Sequence, residues 1–269
     1  MDWSRIKTIF IIAFLILDVF LLTQYINKFQ TNQLEVRKDL SFEEKLNNDG
    51  ITYKNLPKET MQDQYLSANT KIFTEKDVSQ LKNQTVQIGD GSSIVGELKN
   101  PISVDFAHPP FTELESFMKN QMLHGDQYTL GEFDEEEGTI TYYQEFKDKP
   151  FFMNIAAHIV FYVNEEGKAD SYEQTMLDTI EPISEKEEVY PAIRALEALY
   201  NQGAIKSNSK FVETELGYYT LVNMEATQVL TPVWRFVVDR DGERESLLVN
   251  AFEGQIIQAN SGSDKNTME

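Results

Sequence analysis

The chain has 269 residues, with 44 acidic against 24 basic, a formal net charge of −20, three histidines and no cysteine. A surface this acidic repels nucleic acids and anionic polymers. The missing cysteines exclude disulfides, thiolate nucleophiles and thiolate metal sites, and the length suffices for one large core or two smaller ones.

Residues 1–7 carry Arg5 and Lys7 and read as a short cytoplasmic tail. Residues 8–26, TIFIIAFLILDVFLLTQYI, hold a single charge, Asp18. As a helix this run is roughly 28 Å long, close to the hydrocarbon thickness of a bilayer. It is apolar on every face, too long for the core of a signal peptide, and no small-x-small cleavage pattern follows it. It therefore reads as an uncleaved transmembrane helix. The Lys and Arg counts on its two flanks nearly tie, but a short basic tail is easily retained inside while long domains translocate largely regardless of charge. The expected topology is N-terminus cytoplasmic and C-terminal domain extracytoplasmic. Asp18 falls near the bilayer midplane, where ionisable residues usually face a partner. Phe14, Asp18, Leu21 and Tyr25 share one helical face with Leu22 beside it, and these five are the candidate contacts to another transmembrane helix.

Residues 27–40 are polar and read as a stalk. The N-terminal part of the ectodomain follows at 41–110. There Ser41 and Glu44 have capping-box spacing for a short helix to about Asn48, stopped by Gly50. Thr74 to Asp77 looks like a second helix start, and strands at 84–88 and 93–98 join through Gly89-Asp90-Gly91. Residues 111–182 read as a first helix–sheet unit: a helix over about 113–123 capped by Thr112 and Glu115, then strands at 127–133, 138–146, 154–163 and 170–177. Residues 183–260 read as a second: a helix over about 189–201, with Pro191 in its first turn and Gly203 past its end, then strands at 211–214, 218–223, 233–238, 245–251 and 255–259. In the strand at 233–238, Trp234, Phe236 and Val238 share one face and Arg235 takes the other. Residues 261–269 are a polar tail, expected to be disordered.

The two halves overlay at an offset of 75 residues, which puts Gly167 on Gly242 and Val163 on Val238 and suggests a duplication. The predicted fold class is α+β: an N-terminal transmembrane helix followed by an ectodomain of two similar helix-on-antiparallel-sheet units.

No catalytic constellation stands out. His108, His124 and His158 lack zinc-ligand spacing. Asp239-x-Asp241-Gly242 lacks the remaining ligands of a calcium loop and reads as a hairpin turn. Asp134 to Glu137 is an acidic connection between strands, Gly89 to Ser93 lacks the lysine of a phosphate loop, and no serine sits in an elbow motif. No catalytic residue, metal or cofactor is therefore predicted.

The opening MDWSRIKTIFIIAFLILDVFLL resembles the start of the YycI (also called WalI) family of Gram-positive bacteria. The MDW-basic-KTIFI start, the apolar run ending in LDxFL, the later YPAIRALEAL and VWRFVVD segments and the chain length are all similar, so the likeness runs end to end. The resemblance implies a non-enzymatic accessory regulator at the outer face of the cell membrane. It would act with the similarly built, anchored YycH on the sensor histidine kinase YycG (WalK), a two-component system that controls cell-wall metabolism. It also implies an α+β ectodomain related to domains of YycH, with no catalytic residues to carry over. The alternative is an anchored extracytoplasmic enzyme or ligand-binding domain, which would show convergent polar groups in a pocket.

Overall fold

A computed structural model describes residues 7, 10–12, 14–23, 41–54, 56–223, 227–240 and 243–257. The chain forms two units, Met1–Thr52 and Tyr53–Glu269. In the first, residues 14–23 are helical. Their large apolar side chains all stand open, from 48% exposed at Leu17 to 63% at Ile16. Among the described residues no helix is long and apolar enough to cross a membrane. The predicted span also includes Thr8, Ile9, Ala13 and residues 24–26, which lie outside the described residues, as do the stalk at 27–40 and the tail at 261–269. Helix α1 (Phe42–Asn48) has the predicted capping box: Glu44 N–H donates to Ser41 Oγ at 3.3 Å and Ser41 N–H to Glu44 Oε2 at 2.9 Å. It stops before Gly50, whose φ of 67° suits glycine. The short strand β1 (Thr52–Tyr53) follows.

The second unit is a mixed α+β fold, mostly sheet with few helices. In chain order it contains β2 (Gln62–Asp63), β3 (Leu66–Thr70), α2 (Glu75–Val78), β4 (Gln84–Gly89), β5 (Ser93–Ser103) and α3 (Thr112–Gln121). Then come β6 (Tyr128–Asp134), β7 (Thr139–Gln144), β8 (His158–Val163), β9 (Lys168–Thr175), β10 (Leu177–Pro182) and β11 (Glu187–Glu188). Helix α4 (Ala192–Asn201) leads into β12 (Lys210–Asn223), β13 (Thr227–Arg240), β14 (Glu243–Asn250) and β15 (Ile256–Ile257).

The first sheet has six antiparallel strands in the order β4-β5-β9-β8-β7-β6. Helix α3 covers one face of it. Leu114, Met118 and Met122 pack there with Ile94, Ile140, Tyr142, Ile159, Phe161 and Tyr172. Removing each such side chain from water stabilises the fold by about 1.5–3 kcal/mol. The predicted cap at Thr112 does not form: Phe111 is the N-cap residue and no side chain caps the helix. Packing decides this start, because Phe111 is buried edge-on against Phe106 and Phe133 and fixes the chain before Thr112.

In the second sheet β12, β13, β14 and β15 lie side by side, and β3 pairs with residues 227–230 of β13 and with β10. Helix α4 lies against β14 and buries Ala192, Ala195, Leu196 and Leu199. It begins three residues later than predicted, with Pro191 as its N-cap, since Val189 N–H bonds instead to Met61 O. Two predicted strands, 211–214 and 218–223, are one continuous β12. Its Gly217 is a point of close packing, not a turn.

The hairpins β8–β9 and β13–β14 share a register. Ile159, Val160, Phe161 and Tyr162 pair with Gln174, Glu173, Tyr172 and Ser171. Seventy-five residues on, Trp234, Arg235, Phe236 and Val237 pair with Val249, Leu248, Leu247 and Ser246. The helices begin at Thr112 and Ala192, a spacing of 80, so one offset does not run through the whole of both regions.

Candidate functional site: a polar cleft where the two sheets meet

Alternation along β13 sends Trp234, Phe236 and Val238 to one face and Val233, Arg235 and Val237 to the other. On the first face, Trp234 Nε1 donates to Tyr190 O at 2.7 Å, just ahead of α4, and Phe236 meets Phe211 edge-on at 5.9 Å. The opposite face meets the first sheet. Val233 and Leu248 pack with Tyr143 of β7 and with Phe152, and the two rings meet edge-on at 6.2 Å. Two glycines admit these rings. A Cβ at Gly131 would lie 2.4 Å from the Tyr143 ring, and one at Gly217 would lie 2.4 Å from both the Phe152 ring and Pro150 O.

Arg235 lies in this joint with its side chain 2% exposed. Its Nε donates to Glu215 Oε1 at 2.9 Å, Nη2 to Glu213 Oε2 at 3.2 Å and Nη1 to Gly131 O at 3.3 Å. Its guanidinium lies 4.9 Å from the Phe152 ring centre. An arginine does not shed its proton, so burial demands opposite charge and filled donors, and β12 supplies both carboxylates. Burial pushes the Glu215 carboxyl above its ordinary range, against the pull of Arg235.

Beside Arg235 a cleft of about 410 Å³ opens between the sheets. Glu132, Asp134, Thr139 and Thr141 line it from the first sheet; Glu213, Arg235 and Arg244 line it from the second. Glu132 Oε1 accepts from Tyr143 O–H at 2.7 Å, and Arg244 stacks over Phe133 at 5.7 Å. Of its charged groups Arg235 and Glu213 pair directly, while Glu132, Asp134 and Arg244 also line it, so the cleft presents both signs of charge to a polar group.

This joint was missed in the sequence reading. The signal was an arginine inside the apolar run VWRFVV, with Glu213 and Glu215 two apart on a neighbouring strand. The predicted contact residues lie elsewhere, on the N-terminal helical stretch. Phe14, Leu21 and Leu22 are 60, 55 and 57% exposed, Asp18 is exposed with them, and Tyr25 lies outside the described residues. Of the histidines, His108 pairs with Asp105 at 2.8 Å on the surface, while His158 is half-buried in β8. Among the described residues no cluster of histidine and carboxylate side chains could hold a metal ion.

The family model described as YycI protein matches residues 30–252. This chain belongs to the YycI family. YycI proteins are membrane-associated regulatory accessory proteins of the YycG (WalK) pathway and are not known as enzymes. No curated protein matches the chain. Among solved structures, an uncharacterized protein from Eubacterium rectale is similar at TM-score 0.47 and 11% identity, over 78% of this chain and 91% of that one. The C-terminal domain of YpeB from Bacillus megaterium is similar at TM-score 0.40 and 9% identity, over 81% of this chain and 96% of that domain.

Proposed function

We propose that this YycI-family chain is a non-enzymatic regulator anchored in the cell membrane by residues 8–26, with its N-terminus cytoplasmic and its folded unit extracytoplasmic. It acts with a YycH-like anchored protein on a YycG/WalK-like sensor histidine kinase controlling cell-wall metabolism. The family match over residues 30–252 carries this reading. The open apolar side chains of residues 14–23 support an anchor, because such surface is costly in water and free of cost in lipid. We also read the two helix–sheet regions, 111–182 and 183–260, as copies of one unit, supported by the shared hairpin register.

Within the anchor, Phe14, Asp18, Leu21, Leu22 and Tyr25 form the stripe that meets a partner helix. A carboxyl at mid-membrane costs about 2.5–3.5 kcal/mol, which the apolar residues around it offset. A hydrogen bond to a neighbouring helix contributes about 0.6–2 kcal/mol.

The test is a pull-down of the tagged full chain from detergent-solubilised membranes. The YycH-like protein and the kinase should be recovered with it, and recovery of neither overturns the proposal. At matched expression, Asp18→Leu should reduce that recovery while leaving insertion intact, and Asp18→Asn should retain most of it. Protease added to intact protoplasts should digest the folded unit; a protected unit refutes the topology.

A further inference from the structure

The cleft beside Arg235 holds charges that the fold does not use up. Arg235 itself is engaged by Glu213, Glu215 and Gly131 O. Arg244, which lines the cleft from β14, is not. Its guanidinium lies 5.7 Å from the centre of the Phe133 ring, and Phe133 in turn packs against the first core. The ion pairs of β13 and β14 pass it by, since Arg235 takes Glu213 and Glu215 and Arg240 takes Glu245. Among the described residues no carboxylate forms an ion pair with Arg244. An arginine laid on an aromatic ring keeps its N–H edge for a carboxylate, which it binds through two parallel hydrogen bonds.

The first sheet brings the opposite charge. Asp134 Oδ1 accepts from the N–H groups of Glu136 and Glu137 at 2.8 and 3.0 Å. Glu132 Oε1 accepts from Tyr143 O–H at 2.7 Å. These bonds orient both carboxylates through one oxygen each. Asp134 Oδ2 and Glu132 Oε2 accept no hydrogen bond among the described residues. Thr139 and Thr141, opposite Asp134 and Glu132 in the ladder, line the same cleft with hydroxyls. The volume, about 410 Å³, lies in the range of small-molecule sites.

We propose that this cleft binds a small zwitterion, a molecule of amino-acid or dipeptide size. Its carboxylate meets Arg244 and its ammonium meets Asp134 and Glu132. The two signs of charge in one cleft select this class. A simple anion at Arg244 would lie among Asp134, Glu132 and Glu213, and a simple cation at those carboxylates would lie beside Arg244. A zwitterion gives each sign its counterpart. The inference goes beyond the regulator reading and does not depend on it; such a molecule would touch both sheets beside their joint.

The full chain, purified in detergent, is titrated by calorimetry with glycylglycine, with its N-acetyl form and with its C-terminal amide. The zwitterion should bind, and each capped form should bind about tenfold or more weakly, as loss of a charge-assisted hydrogen bond does. Arg244→Gln should abolish the preference for the free carboxylate over the amide. Asp134→Asn combined with Glu132→Gln should abolish the preference for the free amine over the acetylated form and leave the other preference in place. A merely structural role for these residues would not move one preference and spare the other. All three side chains are exposed, so the variants should keep the parent's urea midpoint, and the capped ligands on the parent decide the matter if a variant does not. No binding by the parent at millimolar concentrations, or equal binding of free and capped forms, overturns the proposal. Tighter binding of the amide would make this a cation site and tighter binding of the acetylated form an anion site, and either overturns the zwitterion. The pull-down above judges the regulator reading separately, so the two can fail independently.

Discussion

The hairpins β8–β9 and β13–β14 are built on one register and diverge on one face. Toward their helices both present large apolar groups, Ile159 and Phe161 in one and Trp234 and Phe236 in the other. On the reverse face the first carries Val160 and the second Arg235 at the matching position. Tyr162 beside Val160 is 42% exposed, whereas the Arg235 side chain is 2% exposed and held by two carboxylates. One hairpin leaves its reverse face half open; the other closes it with an ion cluster that joins the two sheets. A shared backbone plan therefore leaves a surface in one region and a structural joint in the other.

The sharpest way to break this comparison is to remove the joint. Arg235→Leu leaves Glu213 and Glu215 without their counter-charge and Gly131 O without its donor. Breaking a buried pair from one side costs about 3–5 kcal/mol. Because the Glu213 side chain is 53% exposed, the loss should fall near the lower end, read as a lowered urea midpoint. Adding Glu215→Leu should recover part of it, since a well-packed apolar replacement is often neutral. Val160→Leu, at the matching position of the open hairpin, should cost under about 1.5 kcal/mol. Equal losses at Arg235 and Val160 would erase the distinction between joint and surface.

The next effect is steric. Gly217→Ala drives a Cβ to 2.4 Å from both Pro150 O and the Phe152 ring. The backbone oxygen cannot swing aside as a side chain can, so the Pro150–Phe152 segment, bonded to β12 through Tyr218, must shift. Overpacking of this kind costs about 1–3 kcal/mol, to be read from the shift in thermal midpoint. A smaller loss is expected from Trp234→Phe, which removes the donor to Tyr190 O; a net hydrogen bond contributes about 0.5–1.5 kcal/mol.

Much of the fold was legible because strand alternation and turn chemistry are local. Ser41 and Glu44 form the expected capping box, Gly89 to Gly91 turns the expected hairpin, and the faces of Trp234 and Arg235 follow from a period of two. What was not legible depends on contacts distant in sequence. Strand β3, LSANT, reads as polar, yet it pairs with both β10 and β13 because Leu66 and Ala68 alone face inward. Residues 211–214 and 218–223 were read as separate strands, because nothing nearby announces Phe152 packing on Gly217 between them. Arg235 was assigned the correct face, but alternation alone does not show that a second sheet lies across it. The cleft lined by Glu132, Glu213 and Arg235 brings together strands about a hundred residues apart.

The smallest expected effect tests the open face through its own titration. Unlike Arg235, His158 is half-buried without a carboxylate bonded to its ring in the described contacts; its backbone N–H donates to Thr175 Oγ1 at 3.0 Å. Burial holds its imidazole below the ordinary value, and Glu173 pulls partly the other way. The folded chain therefore keeps His158 neutral at a pH where the unfolded chain already protonates it. Between the ordinary histidine value, about 6.5, and the lower folded value, the unfolded state binds more protons. Stability must then fall as the pH drops through that window and level off beneath it. Urea midpoints compared at about pH 8 and about pH 5.5, above the ordinary carboxylate range, should show a loss in the parent that His158→Gln reduces. Glu173→Gln should steepen the loss, because the group that holds the histidine value up is gone. If the parent and His158→Gln lose stability equally over that range, His158 is solvated in the folded chain and the face around it is more open than its burial implies.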